Sequence, residues 1–236
     1  MLRALHITSL CAFGLIGTAA AAEDWSFKVT PYIWAPSLDT SLDIGSNPPV
    51  EGSKSIFDVL DGAFLITGEA RRNNWAILGE FNYLNLADDF GISPGDPIAG
   101  WRVRGTMVTL GAARTFVDTP NVKVEALGAL RRWDMKPSTT VLDTTVETKV
   151  SWTDPIVGFR LNAPVGERTQ VSGMANIGGF GVGSERQWEV LAAVEWQATD
   201  LLSLSGGYRH LDIRFEDSTI IDLQLSGPFI AASFNF

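Results

Sequence analysis

The sequence is poor in the groups that most often carry chemistry. Its 236 residues include one cysteine, Cys11, and two histidines, His6 and His210. With its only thiol so near the start, the body of the chain has no disulfide framework, thiolate metal site or cysteine nucleophile. Leu10 stands where a lipid-attachment site before Cys11 wants a small residue, so lipidation is not expected. Beyond residue 22 no apolar run approaches the ~18 residues of a membrane helix. No linker, charge run or fixed-period repeat divides the chain. Gly-x-Ser-x-Gly elbows, phosphate loops, dinucleotide fingerprints and metal-ligand clusters are all missing, so no cofactor is expected. Acidic residues outnumber basic ones 27 to 18, for a net charge of −9, which argues against a nucleic-acid partner.

What is present begins with an address. Arg3, the apolar stretch Ala4–Ile16 and the small residues Gly17–Ala22 have the order of an export leader, with Ala20 and Ala22 at the cleavage pattern. Residues 1–22 are expected to be a cleaved signal peptide and 23–236 one β domain.

Alternation over about ten residues, punctuated by Gly, Pro, Asn and Asp, recurs through that domain. Trp188, Val190, Ala192, Val194 and Trp196 share one face; Glu189, Leu191, Ala193, Glu195 and Gln197 share the other. Trp75–Tyr83 and Val122–Arg131 read the same way, and noisier segments fall near 24–35, 63–72, 101–117, 151–162, 168–180, 201–215 and 219–236. These predict a closed, antiparallel, up-and-down transmembrane barrel of about ten strands, within a range of about 8–12. With the N-terminus in the periplasm, the short connections 73–74, 118–120, 163–167 and 199–200 lie inside. The connections 36–62, 86–100, 134–150, 181–187 and 216–218 lie outside, three of them long, as in outer-membrane barrels. An even strand number lets the ends pair and removes the sheet edge. The cell outer membrane is the expected location, with its lipid and lipopolysaccharide as surroundings and a monomer as the expected state.

The eight tryptophans fall near predicted strand ends. Trp25, Trp75, Trp101, Trp188 and Trp196 are expected at the membrane boundary, where an apolar ring with one N–H is at home. Trp34, Trp133 and Trp152 count onto the inward phase and are expected at the mouth. Ile230, Ala232, Phe234 and Phe236 form an alternating terminal signal of the kind read by the outer-membrane assembly machinery. Ile221, Leu223 and Leu225 hold the opposite parity, which predicts a bulge and phase switch at Gly227-Pro228.

Reading each strand by parity puts Lys28, Arg71, Arg102, Arg104, Arg114, Lys123, Arg131, Arg160, Arg168 and Arg209 in the lumen. Glu69, Glu80, Glu125, Asp154, Glu189, Glu195 and Asp222 join them. A lumen closed by ion pairs and a narrow anion-attracting pore both fit this charge network; the width of a ten-stranded barrel favours closure. Ser55–Asp61 has the capping and apolar pattern of a short helix in the first long loop.

His210 and Asp212 share a face near the outer end of their strand, the one arrangement resembling a base with an orienting carboxylate. Their face carries Tyr208 and Leu204 lower down, so an interfacial structural role is expected and no catalytic residue is assigned. Two other readings stay open here: a lipid- or peptide-hydrolysing barrel using this pair, and a soluble periplasmic barrel for an apolar ligand.

The stretch Thr30-Pro31-Tyr32-Ile33-Trp34-Ala35-Pro36-Ser37-Leu38 resembles the opening of a group of Gram-negative outer-membrane barrel proteins that begin Thr-Pro-Tyr-Leu-Trp-Ala-Pro-Gly-Leu, with Ser37 in place of the usual Gly. Phe57–Leu60, Glu69–Arg72 before Trp75, Gly207-Tyr208-Arg209, Gly227-Pro228 and Phe236 resemble later blocks of that group. The resemblance implies a small barrel of the OmpA/OmpW-like kind and, its motifs being structural, carries no catalytic residue.

Overall fold

The computed structural model describes residues 25–43, 50–55, 60–93, 96–141, 144–216 and 220–236. The expected leader lies outside them. Among the described residues no helix is long and apolar enough to cross a membrane, and the elements they form are strands.

In chain order these are β1 (Ser26–Trp34), β2 (Ser37–Asp43), β3 (Val50–Ser55), β4 (Leu60–Arg72), β5 (Trp75–Ser93), β6 (Asp96–Asp118) and β7 (Lys123–Val141). Then follow β8 (Thr144–Glu147), β9 (Val150–Pro164), β10 (Thr169–Gly179), β11 (Arg186–Gln197), β12 (Leu202–Glu216) and β13 (Ile220–Asn235). Ten of them, β1, β4–β7 and β9–β13, pair antiparallel with their neighbours. The barrel closes where β1 meets β13, from Lys28↔Asn235 to Trp34↔Phe229. Closure satisfies every wall strand on both edges, which a sheet in lipid requires. Each of the ten predicted strand segments falls on one of these strands.

The two ends differ. At one, adjacent strands are joined by tight turns at 73–74, 119–122, 165–168 and 198–201. Asn73 takes φ 52° there, a left-handed conformation that asparagine tolerates. At the other end the sheet runs far past the barrel body. β6 has 23 residues, against the roughly 9–11 that cross a bilayer. The regions expected as long loops are therefore largely β-structure: β5 and β6 pair out to Ser93↔Asp96, β8 folds back on β7, and β2 with β3 forms a hairpin laid against β13. Of the helix expected over 55–61, Ser55 ends β3 and Leu60 and Asp61 begin β4, while 56–59 lie outside the described residues.

The outer face of the barrel body is apolar on every strand. Val29 and Ile33, Phe64, Ile77 and Phe81, Val108 and Leu110, Leu130, Val157 and Phe159 point outward and are exposed. Ile177, Val190 and Val194, Leu204 and Tyr208, Ile230 and Phe234 continue the band around the other side.

Inside, polarity changes along the axis. Toward the turn end the lumen mixes ion pairs and hydroxyls with a small apolar cluster, Ala76, Ala113 and Leu127 beside Leu78 and Met174. Toward the loop end it is packed with Trp34, Leu86, Met107, Trp133, Met135, Trp152, Leu211, Ile213, Phe215, Ile221, Leu225 and Phe229. Trp133 stacks on Trp152 and Trp152 on Phe215, with centroids 5.8 and 4.4 Å apart.

This plug overturns the expected phase switch at Gly227-Pro228. β12 and β13 keep one register from Leu202↔Phe234 through Arg209↔Gly227 to Glu216↔Ile220, with no bulge. Ile221, Leu223 and Leu225 share the inward parity of Phe229 and Ser233. What switches is the filling of the lumen, from hydroxyls below to carbon above.

Candidate functional site: the barrel lumen

Alternation delivers every second side chain of each strand to the lumen, where two Arg–Glu clusters span the barrel. The upper one centres on Glu189 of β11, whose side chain is 0% exposed. Arg131 of β7 donates to it at 2.7 Å through Nη2, and Arg209 of β12 lies 2.7 Å away through Nε. The Asn176 amide donates at 3.0 Å. Arg209 also donates to Glu80 of β5 at 2.8 Å and to the Tyr32 hydroxyl of β1 at 2.7 Å, while its guanidinium lies 4.8 Å from the Trp34 ring centre. Thr109 accepts from Arg131 Nε at 3.0 Å, and Asn82 donates to Glu80 at 2.9 Å. Two arginines and two glutamates leave no net charge. Such a set holds its members only when each is paired, because a lone buried ion is expensive.

The lower cluster sits nearer the turn end. Arg71 of β4 lies 2.7 Å from both Glu69 and Glu125. Arg160 of β9 lies 2.7 Å from Glu69 and 2.8 Å from Glu125, and Thr115 donates to Glu125 at 3.0 Å. Here too the formal charges cancel. Lys28 of β1 reaches Glu195 of β11 at 2.7 Å, a third tie across the lumen.

Other expected members of the network lie elsewhere. Asp154 faces inward but meets no arginine: it accepts from the Ser184 amide at 2.6 Å, the Ser184 hydroxyl at 2.8 Å and Trp152 Nε1 at 3.0 Å. It thereby ties the 180–185 connection into the barrel mouth. Lys123 stands at the turn-end rim, 3.9 Å from Asp118.

Arg102, Arg104, Arg114 and Arg168 are corrections to the parity reading, since all four are exposed outside the lumen. On β6 the inward residues are Trp101, Val103, Met107, Thr109, Ala113 and Thr115. Arg102 and Arg104 project beyond the apolar band, paired with Asp61 and Glu147. Arg114 lies over the Trp75 ring at 5.4 Å, and Arg168 belongs to the 165–168 turn. Asp222, too, projects outward, beside Arg214.

The tryptophans divide similarly. Trp25, Trp75, Trp188 and Trp196 are exposed on the outer wall, the last two bracketing Val190 and Val194 on β11. Trp101 is not at the boundary: it packs against the interior plug with Trp133 and Trp152, because it shares the inward parity of Met107. On β13, Ile230 and Phe234 are exposed outward and Ala232 shares their face, and Phe236, just past the strand, is exposed as well.

Sequence reasoning passed over Tyr32, Asn82, Thr109, Thr115 and Asn176, the uncharged members of the clusters. Their signal was parity alone: each shares the inward phase of its strand.

His210 and Asp212 lie on the outer wall. The His210 ring sits 4.3 Å from the Trp188 ring, and its Nδ1 is hydrogen-bonded to Ser226. Asp212 accepts from Gln224 at 3.3 Å and lies 3.7 Å from Arg186. Among the described residues no cluster of His, Cys, Asp and Glu has the makings of a metal site.

The comparisons with known proteins bear on the fold. No protein-family model matches the chain, and no curated protein matches it. Among solved structures it is similar to the outer-membrane protease OmpT of Escherichia coli, at 8% identity and a TM-score of 0.51, covering 92% of this chain and 98% of that one. It is also similar to the translocator domain of the autotransporter NalP of Neisseria meningitidis, at 11% identity and a TM-score of 0.52, covering 89% and 88%. The fold is that of the outer-membrane β-barrels. At these identities the likeness carries the architecture and leaves the chemistry to the residues.

Proposed function

We propose that this protein is a monomeric, non-enzymatic wall element of the outer membrane whose barrel is closed and does not conduct. The turn end faces the periplasm and the extended hairpins face outward. One observation carries the reading: the apolar plug rests directly on the Glu189-centred cluster, with Phe229 and Trp34 touching both layers. An ion crossing the lumen would have to open a stacked aromatic layer and then a layer of two arginines ion-paired with two glutamates. The outward apolar band supports placement in lipid, with lipopolysaccharide around the loop end. The exposed Ile230, Phe234 and Phe236 face supports delivery by the assembly machinery. The partners of His210 and Asp212 favour a structural role for both.

Planar-bilayer recording tests the closure. The native protein should show no steady single-channel current, and the double variant Trp152→Ala/Phe215→Ala should flicker open. Steady current through the native barrel would refute the reading. Outer-membrane fractionation and heat-modifiable migration test the placement, and a freely soluble mature chain would overturn it. Lipid and peptide turnover should be the same for native protein and His210→Ala; activity lost in the variant would restore the enzymatic alternative.

A further inference from the structure

Below the Glu189 layer the lumen is not filled. A cavity of about 290 Å³ lies between that layer and the turn end, near the lower limit of small-molecule sites, ~300–1,000 Å³. Its two sides differ in chemistry. Leu78, Leu127, Ile156, Met174 and Leu191, from β5, β7, β9, β10 and β11, make a carbon wall. Thr30, Ser205 and Ser233, from β1, β12 and β13, make a hydroxyl wall.

Each ionic side chain that lines it is already paired: Lys28 with Glu195, Arg160 with Glu69, and Arg131 and Arg209 with Glu80 and Glu189. Exposure falls along the axis. The Lys28 side chain, near the start of β1 at the turn end, is 32% exposed. Arg160 is 18% exposed, and Arg131 and Glu189 are 2% and 0%. Solvent enters from the turn end and stops at the upper cluster.

We propose that this cavity is a blind pocket, entered from the periplasm, for a small uncharged amphipathic molecule: one ring or a short alkyl body bearing a hydroxyl. The carbon wall favours an apolar body by removing it from water. Thr30 and Ser233 share one hydrogen bond at 2.9 Å, which leaves one of their two protons, their spare lone pairs and the Ser205 hydroxyl for a single polar group. A charged ligand is disfavoured, because it would enter without a partner or break an existing pair. The blind end rests on the closure proposed above.

The test uses the mature protein folded in micelles. Because Cys11 lies outside residues 23–236, the expected mature chain, Ser205→Cys in that chain would place a single thiol on the cavity wall. The probes are 4-tert-butylphenol and its anionic counterpart 4-tert-butylbenzoate. The phenol should slow maleimide labelling of that thiol saturably, with an affinity at least about tenfold better than the benzoate's. Adding Ser172→Phe or Ala231→Phe, each checked for heat-modifiable migration, should fill the space and weaken protection at least about tenfold.

Unchanged labelling across the probe range would mean a pocket holding water alone and would overturn the ligand. Equal protection by the benzoate, or undiminished protection in the filled variants, would overturn it as well. On intact cells a bulky impermeant maleimide should leave Ser205→Cys unmodified. Labelling from that side would overturn the closure together with the blind end, whereas one-sided labelling without protection overturns the ligand alone.

Discussion

Glu189 illustrates what a single side chain does in this lumen. It faces Arg131 and Arg209 at once, each at 2.7 Å, with no exposure to water. Replacing it with glutamine keeps the shape and removes the charge, so two guanidinium groups are left facing Glu80 alone. Breaking a buried pair this way costs about 3–5 kcal/mol. Urea unfolding of the micelle-embedded barrel should therefore show Glu189→Gln well below the native midpoint; an unchanged midpoint would mean that the network adds nothing to stability. Ser184→Ala should behave differently. It removes one of the hydrogen bonds that hold Asp154, at about 1–3 kcal/mol for a buried partner left short. Because the Ser184 hydroxyl ties the 180–185 connection to Asp154, amide exchange should quicken there and stay native on β4–β7.

Among the strands, β6 and β13 show which part of the architecture is legible in sequence. Both have a clean alternation in the band, Val108 and Leu110 out with Thr109 and Ala113 in, Ile230 and Phe234 out with Ser233 in, and this gives the right phase. Errors begin where a strand leaves the band. Beyond it the outside is water and the inside is a carbon plug, so polarity inverts while the register does not. Arg102 and Arg104 are therefore read into the lumen, though the parity of Val108 and Leu110, carried along β6, puts them outside. Leu211, Ile213 and Phe215 look like a phase change and are simply inward. Phase read from the middle of each strand and carried to both ends places these residues correctly. The cross-lumen partners are a different matter. That Arg131 meets Glu189 rather than Glu125 depends on strand tilt and stagger, which alternation does not encode.

The turn from β1 into β2 supplies a test on the same scale. A Cβ on Gly227 would run into the backbone of Ala35 and Pro36, so the bend needs a glycine on the neighbouring strand. Gly227→Val should separate the β2–β3 hairpin from β13, seen as faster exchange over 37–43, and should lower the temperature at which the band shifts on unboiled gels. Native exchange over 37–43 in that variant would contradict the packing.

For the whole molecule, the outward band is the feature most open to direct attack. Leu110 is 64% exposed and lies on the lipid side. An arginine at the bilayer midplane of a barrel costs about 2–4 kcal/mol, so Leu110→Arg should lower unfolding stability by that order in bilayers of native thickness. The effect should fade for Arg104→Leu, since Arg104 already stands outside the band. Equal losses in the two variants would mean that the band is not where lipid sits.

The ties across the lumen also impose an order in time. Lys28 and Glu195 stand 167 residues apart, and Arg209 and Tyr32 stand 177 apart. Whichever strands are laid down first, Arg131 on β7 has no Glu189 until β7 and β11 are both in place, and Tyr32 on β1 has no Arg209 until β12 is. An arginine waiting in a half-built sheet keeps its water, so the growing lumen stays wet until the last strands are in place. Drying of the interior thus waits for the strands that bring each arginine its partner, and the positions of a few arginines along the chain set when it can finish.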